Sequence, residues 1–350
     1  MAKKIKLSDD AGSTYSELPG STGEFSVESE QIEDTVFGQT FQSNTPGLIS
    51  WGVTANGIFK GFAGYLAEIK KQGTPTAFTA EACALESGQI YKISDATKEI
   101  WDRSQTLTFY DTAVDKTAFV EWVDYLFGRV KFLDSYTVTG AVTATGKYLP
   151  TAAIAKGNSY TLTMSADTND TSDFDTCQGN GGYKTFAPGL RTVQLEMGGV
   201  FDATEALAAD LAARSELIIE VDPAGDGSSI ARGFFRLISA GQSGNVGALE
   251  EETVTASLNV PFGTLINTVF NWRHSGTTTL AAAIQIAIAA WLAESAATVV
   301  QYLPQGAITQ SPLDGKEGTV IFTDISLSGG LSDMNVFNCE MQGTGVATTV

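Results

Sequence analysis

A single histidine, His274, stands in the whole chain. That scarcity removes most Ser-His-Asp and Cys-His arrangements and zinc sites built on several imidazoles. Between Arg273 and Ser275 it reads as a polar loop position. Cysteine is nearly as sparse: Cys83, Cys177 and Cys339 are odd in number, far apart and without a C-x-x-C pair, so neither a disulfide framework nor a zinc site is supported and the thiols read as buried or inert. Basic side chains are outnumbered, 21 Lys and Arg against 40 Asp and Glu, for a net charge of −19. Gripping nucleic acid requires Lys and Arg to displace phosphate counterions, so that class is disfavoured, whereas a wall past which a polyanion slides is not. Long apolar runs are missing too. Leu280 to Ala293 is apolar apart from Gln285 but falls short of the ~20 residues a bilayer needs, and Glu294 ends it, so it reads as a buried or interface helix and no membrane insertion is expected. Met1 to Leu7 is short and basic with polar residues directly after it, which is no secretory signal and suits folding in a reducing cytoplasm.

What the chain does contain is a repeat. Pro46-Gly47-Leu48 recurs as Pro188-Gly189-Leu190, and Asn56-Gly57-Ile58-Phe59 is answered by Gly198-Gly199-Val200-Phe201; 188 − 46 and 201 − 59 both give 142. Two fragments in one register indicate a duplicated unit, and 350 residues suffice for two cores. Each Pro-Gly reads as a turn that releases a half-buried strand, with Leu48, Trp51, Val53 and Ile58 answering Leu190, Val193, Leu195 and Val200. A helix is expected after each strand. Phe62, Tyr65, Leu66 and Ile69 share one face in the first, closed by Lys70 and Lys71, and in the second Asp202 caps with Glu205, Leu207 and Leu211 are buried and Arg214 closes.

The chain therefore divides into an arm, 1–24, polar and without period, and two domains, 25–160 and 161–350, packed without a flexible linker. A further helix is expected from Asp115, with the stripe Phe119, Trp122, Val123 and Leu126 and a stop at Gly128, and another near Leu280 to Ala297. Strands are expected at 105–110, 136–143, 159–164, 216–222, 230–239, 253–260, 319–327 and 334–341. The low charge and abundant Gly, Ser and Thr fit a mainly β chain.

Catalytic, cofactor and metal sites are not indicated. Gly241, Gly244 and Gly247 fit neither a dinucleotide fingerprint nor a P-loop and read as a hairpin tip. Asp167, Asp170, Asp173 and Asp175 share a polar loop without the EF-hand order. Glu28, Glu30, Glu33 and Asp34, and the run Glu250, Glu251 and Glu252, read as solvated surface or as part of a wall facing DNA.

At Asn44-Thr45-Pro46-Gly47-Leu48, the strand to Gly57-Ile58-Phe59 and the segment after it, all repeated from Pro188 to Arg214, the chain resembles the major tail tube proteins of bacteriophages with long non-contractile tails. Gly318-Thr319-Val320-Ile321-Phe322 through Asp333, Val336 and Gly343-Thr344-Gly345 resembles the closing strand pair of that family. The resemblance implies a mainly β fold with flanking helices, in two tandem tail-tube β-sandwich domains whose inner sheets join between subunits into a β-barrel. It implies a non-enzymatic virion subunit, assembled in the host cytoplasm and without cofactor. Its partners would be copies of itself, a tape measure protein, tail terminator and tip proteins, and double-stranded DNA passing through the lumen without specific binding. Rings of that family hold six domains, so two per chain imply three chains per ring. A virion-surface or secreted β-sandwich adhesin has the same composition, and an acidic hydrolase on a β scaffold has little to support it.

Overall fold

The computed structural model describes residues 4–19, 22–33, 44–60, 66–202, 207–223, 225–243, 251–261, 266–274, 280–293, 298–304, 315–330 and 335–350. The strands begin with β1 (Lys4–Ser8), β2 (Ser16–Glu17), β3 (Thr22–Glu33), β4 (Asn44–Lys60), β5 (Leu66–Gln72), β6 (Thr76–Ser87) and β7 (Ile90–Ile93). Next come β8 (Thr108–Asp111), β9 (Val114–Asp115), β10 (Val120–Asp124), β11 (Arg129–Phe132), β12 (Val142–Tyr148), β13 (Thr151–Lys156) and β14 (Ser159–Asp170). Helix α1 (Phe174–Gly179) leads to β15 (Phe186–Asp202), helix α2 (Leu207–Ala213), β16 (Leu217–Asp222), β17 (Ser229–Ser243), β18 (Glu251–Leu258) and β19 (Phe270–His274). Helix α3 (Ala282–Leu292) precedes β20 (Thr298–Leu303), β21 (Lys316–Gly330) and β22 (Asn335–Thr349). The fold is mainly β with flanking helices, as composition indicates.

Two compact units divide the chain, and both are interleaved in sequence: Met1–Ala63 with Thr161–Gln194 and Thr278–Val350, and Gly64–Tyr160 with Leu195–Thr277. These differ from the sequential halves 25–160 and 161–350. The repeated strands do match, since β4 and β15 start and stop at the same offset of 142 (186 − 44 and 202 − 60). The segments after the two strands diverge: the helix expected at 62–71 is the strand β5 over its described part, while its counterpart is α2. Phe62 and Tyr65 lie outside the described residues.

Why β5 is a strand is visible in its partners. It is paired on both sides, with Ile69 opposite Ile219 of β16 and Ala155 of β13, and Lys70 and Lys71 bind Glu220 at 3.0 Å and Asp210 at 2.7 Å rather than closing a helix. Local periodicity of an eight-residue apolar pattern is weaker than two ladders of hydrogen bonds and ion pairs to the buried Glu220 and Asp210. The helix expected from Asp115 is likewise replaced. Asp115 accepts from the Thr117 N–H at 2.9 Å at the entry to one 3-10 turn, Thr117–Phe119, whose N-cap is Lys116, and β10 follows, rich in the β-branched and aromatic residues that favour strands. Gly128 stops no helix; it holds φ +60 in the turn from β10 to β11.

The Pro-Gly pairs lie inside β4 and β15 instead of forming turns. Pro46 stands opposite Gln31 beside a register shift between Ser29 and Gln31, the irregular pairing in which proline is tolerated. Gly189 serves close approach, because a Cβ there would sit 2.9 Å from the Asp167 carbonyl oxygen. The arm expected over 1–24 is also corrected: β1 pairs with β20 over five positions and places Leu7 and Ile5 in the core, so this segment is built into the first unit. The strand expected at 136–143 forms only from Val142, whereas α3, β14, β16, β17, β18, β21 and β22 overlap the expected positions; β19 and β20 are not among the expected strands.

In the first unit the pairing runs β3–β4–β22–β21, and β21 is bordered on its other side by β20, which continues to β1 and β2, and by β14. Its core contains Trp51, Val53, Phe322, Leu327, Phe337 and Met341, with Ile284, Ile288 and Trp291 of α3 buried as well. The second unit holds the ladder β13–β5–β16–β17, with β18 and β19 both on β17, and a separate sheet ordered β10–β11–β7–β6–β12–β8–β9. Trp101, Phe109, Phe132 and Val130 fill the separate sheet's own core, while Leu126, Phe127, Ile218 and Phe234 belong to a second cluster within this unit.

Candidate functional site

The first unit presents one sheet face with a distinctive chemistry. Along β4, Trp51, Val53 and Ala55 are buried and Thr54 and Asn56 are exposed, so the strand has a core side and a solvent side. Cross-strand register carries that solvent side to its neighbours. Asn56 stands opposite Thr22 and Asn338, which faces Ser326; Thr54 stands opposite Glu24 and Glu340, which faces Asp324; Ser50 stands opposite Glu28. Strand β14 continues the face with Thr161, Thr163, Ser165 and Asp167, alternating with buried Leu162, Met164 and Ala166, and the Ser165 hydroxyl donates to the Asp324 carboxylate at 3.0 Å. On β15, Thr192 and Gln194 are exposed.

None of these positions carries a lysine or arginine. The neighbouring cations are turned away or spent: the Arg191 guanidinium lies 5.2 Å over the Trp291 ring and donates to the Leu292 carbonyl at 3.3 Å, and Lys184 is held by Glu30 and, at 3.3 Å, by Asp170. Hydroxyls, amides and carboxylates remain. Partial burial, then the facing Glu340, push the Asp324 carboxyl above the usual carboxylate range. Such a surface offers no cation to a phosphate and repels a polyanion at short range. Its apolar exceptions are Ile58 and Val336, exposed side by side at one end, and Leu190 on β15.

Of the acids singled out in the sequence, Glu28 and Glu33 are exposed on β3 and Glu28 belongs to this face, whereas Glu30 is neutralised by Lys184. Asp34 and Glu250 lie outside the described residues, and Glu251 and Glu252 open β18 opposite Ser243 and Gln242. The remaining acids of the face, Glu24, Glu340 and Asp324, escape sequence reading because each is isolated along its strand, and Asp167, read as part of a loop, alternates instead along β14. The signal available was the alternation of Ser, Thr and Asp with apolar residues in 159–167.

Asp167 and Asp170 are in β14 and Asp175 is in α1, so the expected single loop is not formed, and no group of three or more metal-ligating side chains occurs among the described residues. Gly241 is in β17, and Gly244 and Gly247 lie outside the described residues. His274 ends β19 instead of sitting in a loop; its Nδ1 and the Ser229 hydroxyl share a 2.9 Å hydrogen bond whose direction the imidazole tautomer sets. Ser229 is fully buried, so no substrate reaches this Ser-His pair. In the second unit Arg232, buried, binds Glu220 at 2.6 Å and Glu99 at 2.8 Å, and the Arg129, Arg232 and Arg273 guanidinium groups surround the Phe127 ring at 5.5, 4.6 and 5.1 Å. Each of these arginines has a carboxylate partner, which makes the cluster structural.

No protein-family model matches the chain, and no curated protein is similar to it. Among solved structures, the tail of an empty gene transfer agent particle, refined with C6 helical symmetry, is similar at 15% identity over 36% of this chain and 87% of that chain, with a TM-score of 0.28. The virion of a native gene transfer agent particle is similar at 15% identity over 32% and 85%, with a TM-score of 0.27. Likeness this slight decides neither fold nor function.

Proposed function

We propose that the chain is a structural subunit of a bacteriophage tail tube, and that the hydroxyl-, amide- and carboxylate-bearing face of β3, β4, β22, β21 and β14 lines the channel through which DNA leaves. The observation that carries this reading is the lack of Lys and Arg at the described face positions named above, in a sheet whose other side is a packed core. Phosphates approaching such a wall are repelled over about a Debye length, ~8 Å at physiological salt, and find no cation at which to release counterions. The tube guides and catalyses nothing.

Assembly is supported by β3. Its twelve residues pair with β4 on one side, and Val27 and Ile32 are more than half exposed. A long edge strand with exposed apolar residues is an aggregation hazard unless another chain covers it, and ring closure by a heterologous contact covers it in every copy. The duplicated strand, β4 and β15 at one offset, supports two tube-domain equivalents per chain and so three chains per ring with pseudo-sixfold symmetry. The partners are further copies of the chain, a tape measure protein and terminator and tip proteins, in the virion after assembly in the host cytoplasm.

Electron microscopy of the purified chain tests this reading. Hollow polymers of uniform diameter are expected, with three chains per ring in the reconstruction. Monomers or solid filaments would sink the tube, and six chains per ring would sink the stoichiometry alone.

A further inference from the structure

The single histidine lies at a junction of the second unit that tail-tube assembly does not explain. The Trp272 indole N–H donates to Ser229 Oγ at 2.8 Å, and Ser229 Oγ lies 2.9 Å from His274 Nδ1; in the Nε2–H tautomer of neutral His274 the Ser229 hydroxyl donates to Nδ1, which ends a short relay. Trp272 and His274 also stack, with ring centroids 6.0 Å apart. Ser229 and His274 are the paired residues at one end of the β17–β19 ladder, which joins β19 to the unit over five positions. We infer that this relay is an acid-sensitive clasp, in which neutral His274 fastens β19 to β17 and protonation of its imidazole loosens that edge.

Protonation at Nδ1 turns the acceptor into a donor. Ser229 Oγ then receives two N–H groups, and its own hydrogen has lost its acceptor in a fully buried position, an arrangement that costs the desolvation of an unmade bond. The surroundings are cationic. Arg129 on β11, with partners Asp124 and Glu86, Arg273 on β19, near Glu99, and Arg232 on β17, with Glu99 and Glu220, carry the nearby charge, and Asp226 lies in the turn before Ser229. Burial first, and Arg129 second, push the imidazole pKa down to about 4. Burial is the largest single influence on Glu99 and Glu220 and would raise both, but Arg232 together with Lys92 and Arg273 for Glu99, and with Lys70 for Glu220, holds both carboxyls below the usual range.

The sign follows from that depression. The unfolded histidine titrates near ~6.5, so the unfolded chain binds a proton that the fold refuses, and stability present above ~6.5 is lost progressively down to the folded value. At pH 5 the unfolding constant is raised about 30-fold by this one group relative to pH 8.

Because the chain has one histidine, selective labelling lets one imidazole resonance be followed in the intact protein. A midpoint below 5 is expected, with wild-type unfolding by urea about 30-fold more sensitive to the step from pH 8 to 5 than His274→Asn, whose side-chain oxygen replaces Nδ1 as acceptor. Hydrogen exchange at Phe270–His274 is expected to accelerate at pH 5, after correction for intrinsic rates, in wild type and not in the variant. A resonance midpoint near 6.5, or equal pH sensitivity in the two proteins, overturns the clasp. If His274→Asn does not fold, the wild-type titration decides, together with local exchange.

Discussion

Trp51 is packed against glycine in a way that leaves little choice at two positions. A Cβ on Gly343 would overlap the indole and one on Gly318 would press on it at 2.5 Å, while the indole N–H donates to the Gly345 carbonyl at 2.9 Å. Gly343→Ala is expected to destabilise the first unit by about 2–3 kcal/mol through overpacking, read from the urea midpoint. Arg232 is the opposite case, a buried charge on which two carboxylates converge. Arg232→Ala leaves Glu220 only Lys70 and Glu99 only Lys92 and Arg273, and is expected to cost about 3 kcal/mol. Asp111 accepts from the Thr139 and Gly140 N–H groups and from the Tyr136 and Thr139 hydroxyls, and these bonds, the Thr139 N–H first, hold its carboxyl well below the usual carboxylate range. With the folded pKa depressed, its contribution is full above about pH 4 and lost as pH falls further. Asp111→Asn is therefore expected to be less stable than wild type at pH 7, with the gap closing at pH 2–3 in thermal melts.

Among the elements, β1 decides whether the N-terminal segment is an arm or a strand. Leu7 and Ile5 are core residues, each contributing about 1.5–3 kcal/mol by burial, and the strand has a full ladder with β20. Deleting residues 1–8 is expected to lower the melting temperature of the chain, and not only its ability to polymerise. An unchanged melting curve would show the strand to be dispensable. Pairing also explains the two lost helices: β5 and β10 each sit against a strand whose register satisfies their backbone and places their charged residues on partners, Lys70 on Glu220 and Lys131 of β11 on Glu121.

For the assembled molecule, the test of the wall is to give it the charge it lacks. Thr163→Lys, Ser326→Lys and Asn338→Lys together place three cations on the solvent side of β14, β21 and β22. Each is a surface change, so monomer stability is expected to hold within about 0.5 kcal/mol per site. Polymers of this variant are expected to retain duplex DNA in a salt-dependent manner, while wild-type polymers release it. Equal retention by both would remove the face from the DNA path.

Composition, a long-range register match and a long apolar run are properties of the chain alone, and they set the β-rich class, the two equal strands, the apolar helix α3 and the surplus of acid. Strand pairing settled the rest. Pro46 could be read as a turn until Gln31 was seen opposite it, and Leu66 and Ile69 suit a helix face or a strand until β16 and β13 claim the backbone on both sides. The candidate wall is legible least of all. Glu24, Asp167 and the Asp324–Glu340 pair come from three separate stretches of the chain, and only the registers of β3, β4, β22 and β21 and the Ser165–Asp324 bond turn them to one face. Facing is a property of paired strands, since a shift of one residue would send each of these side chains to the core.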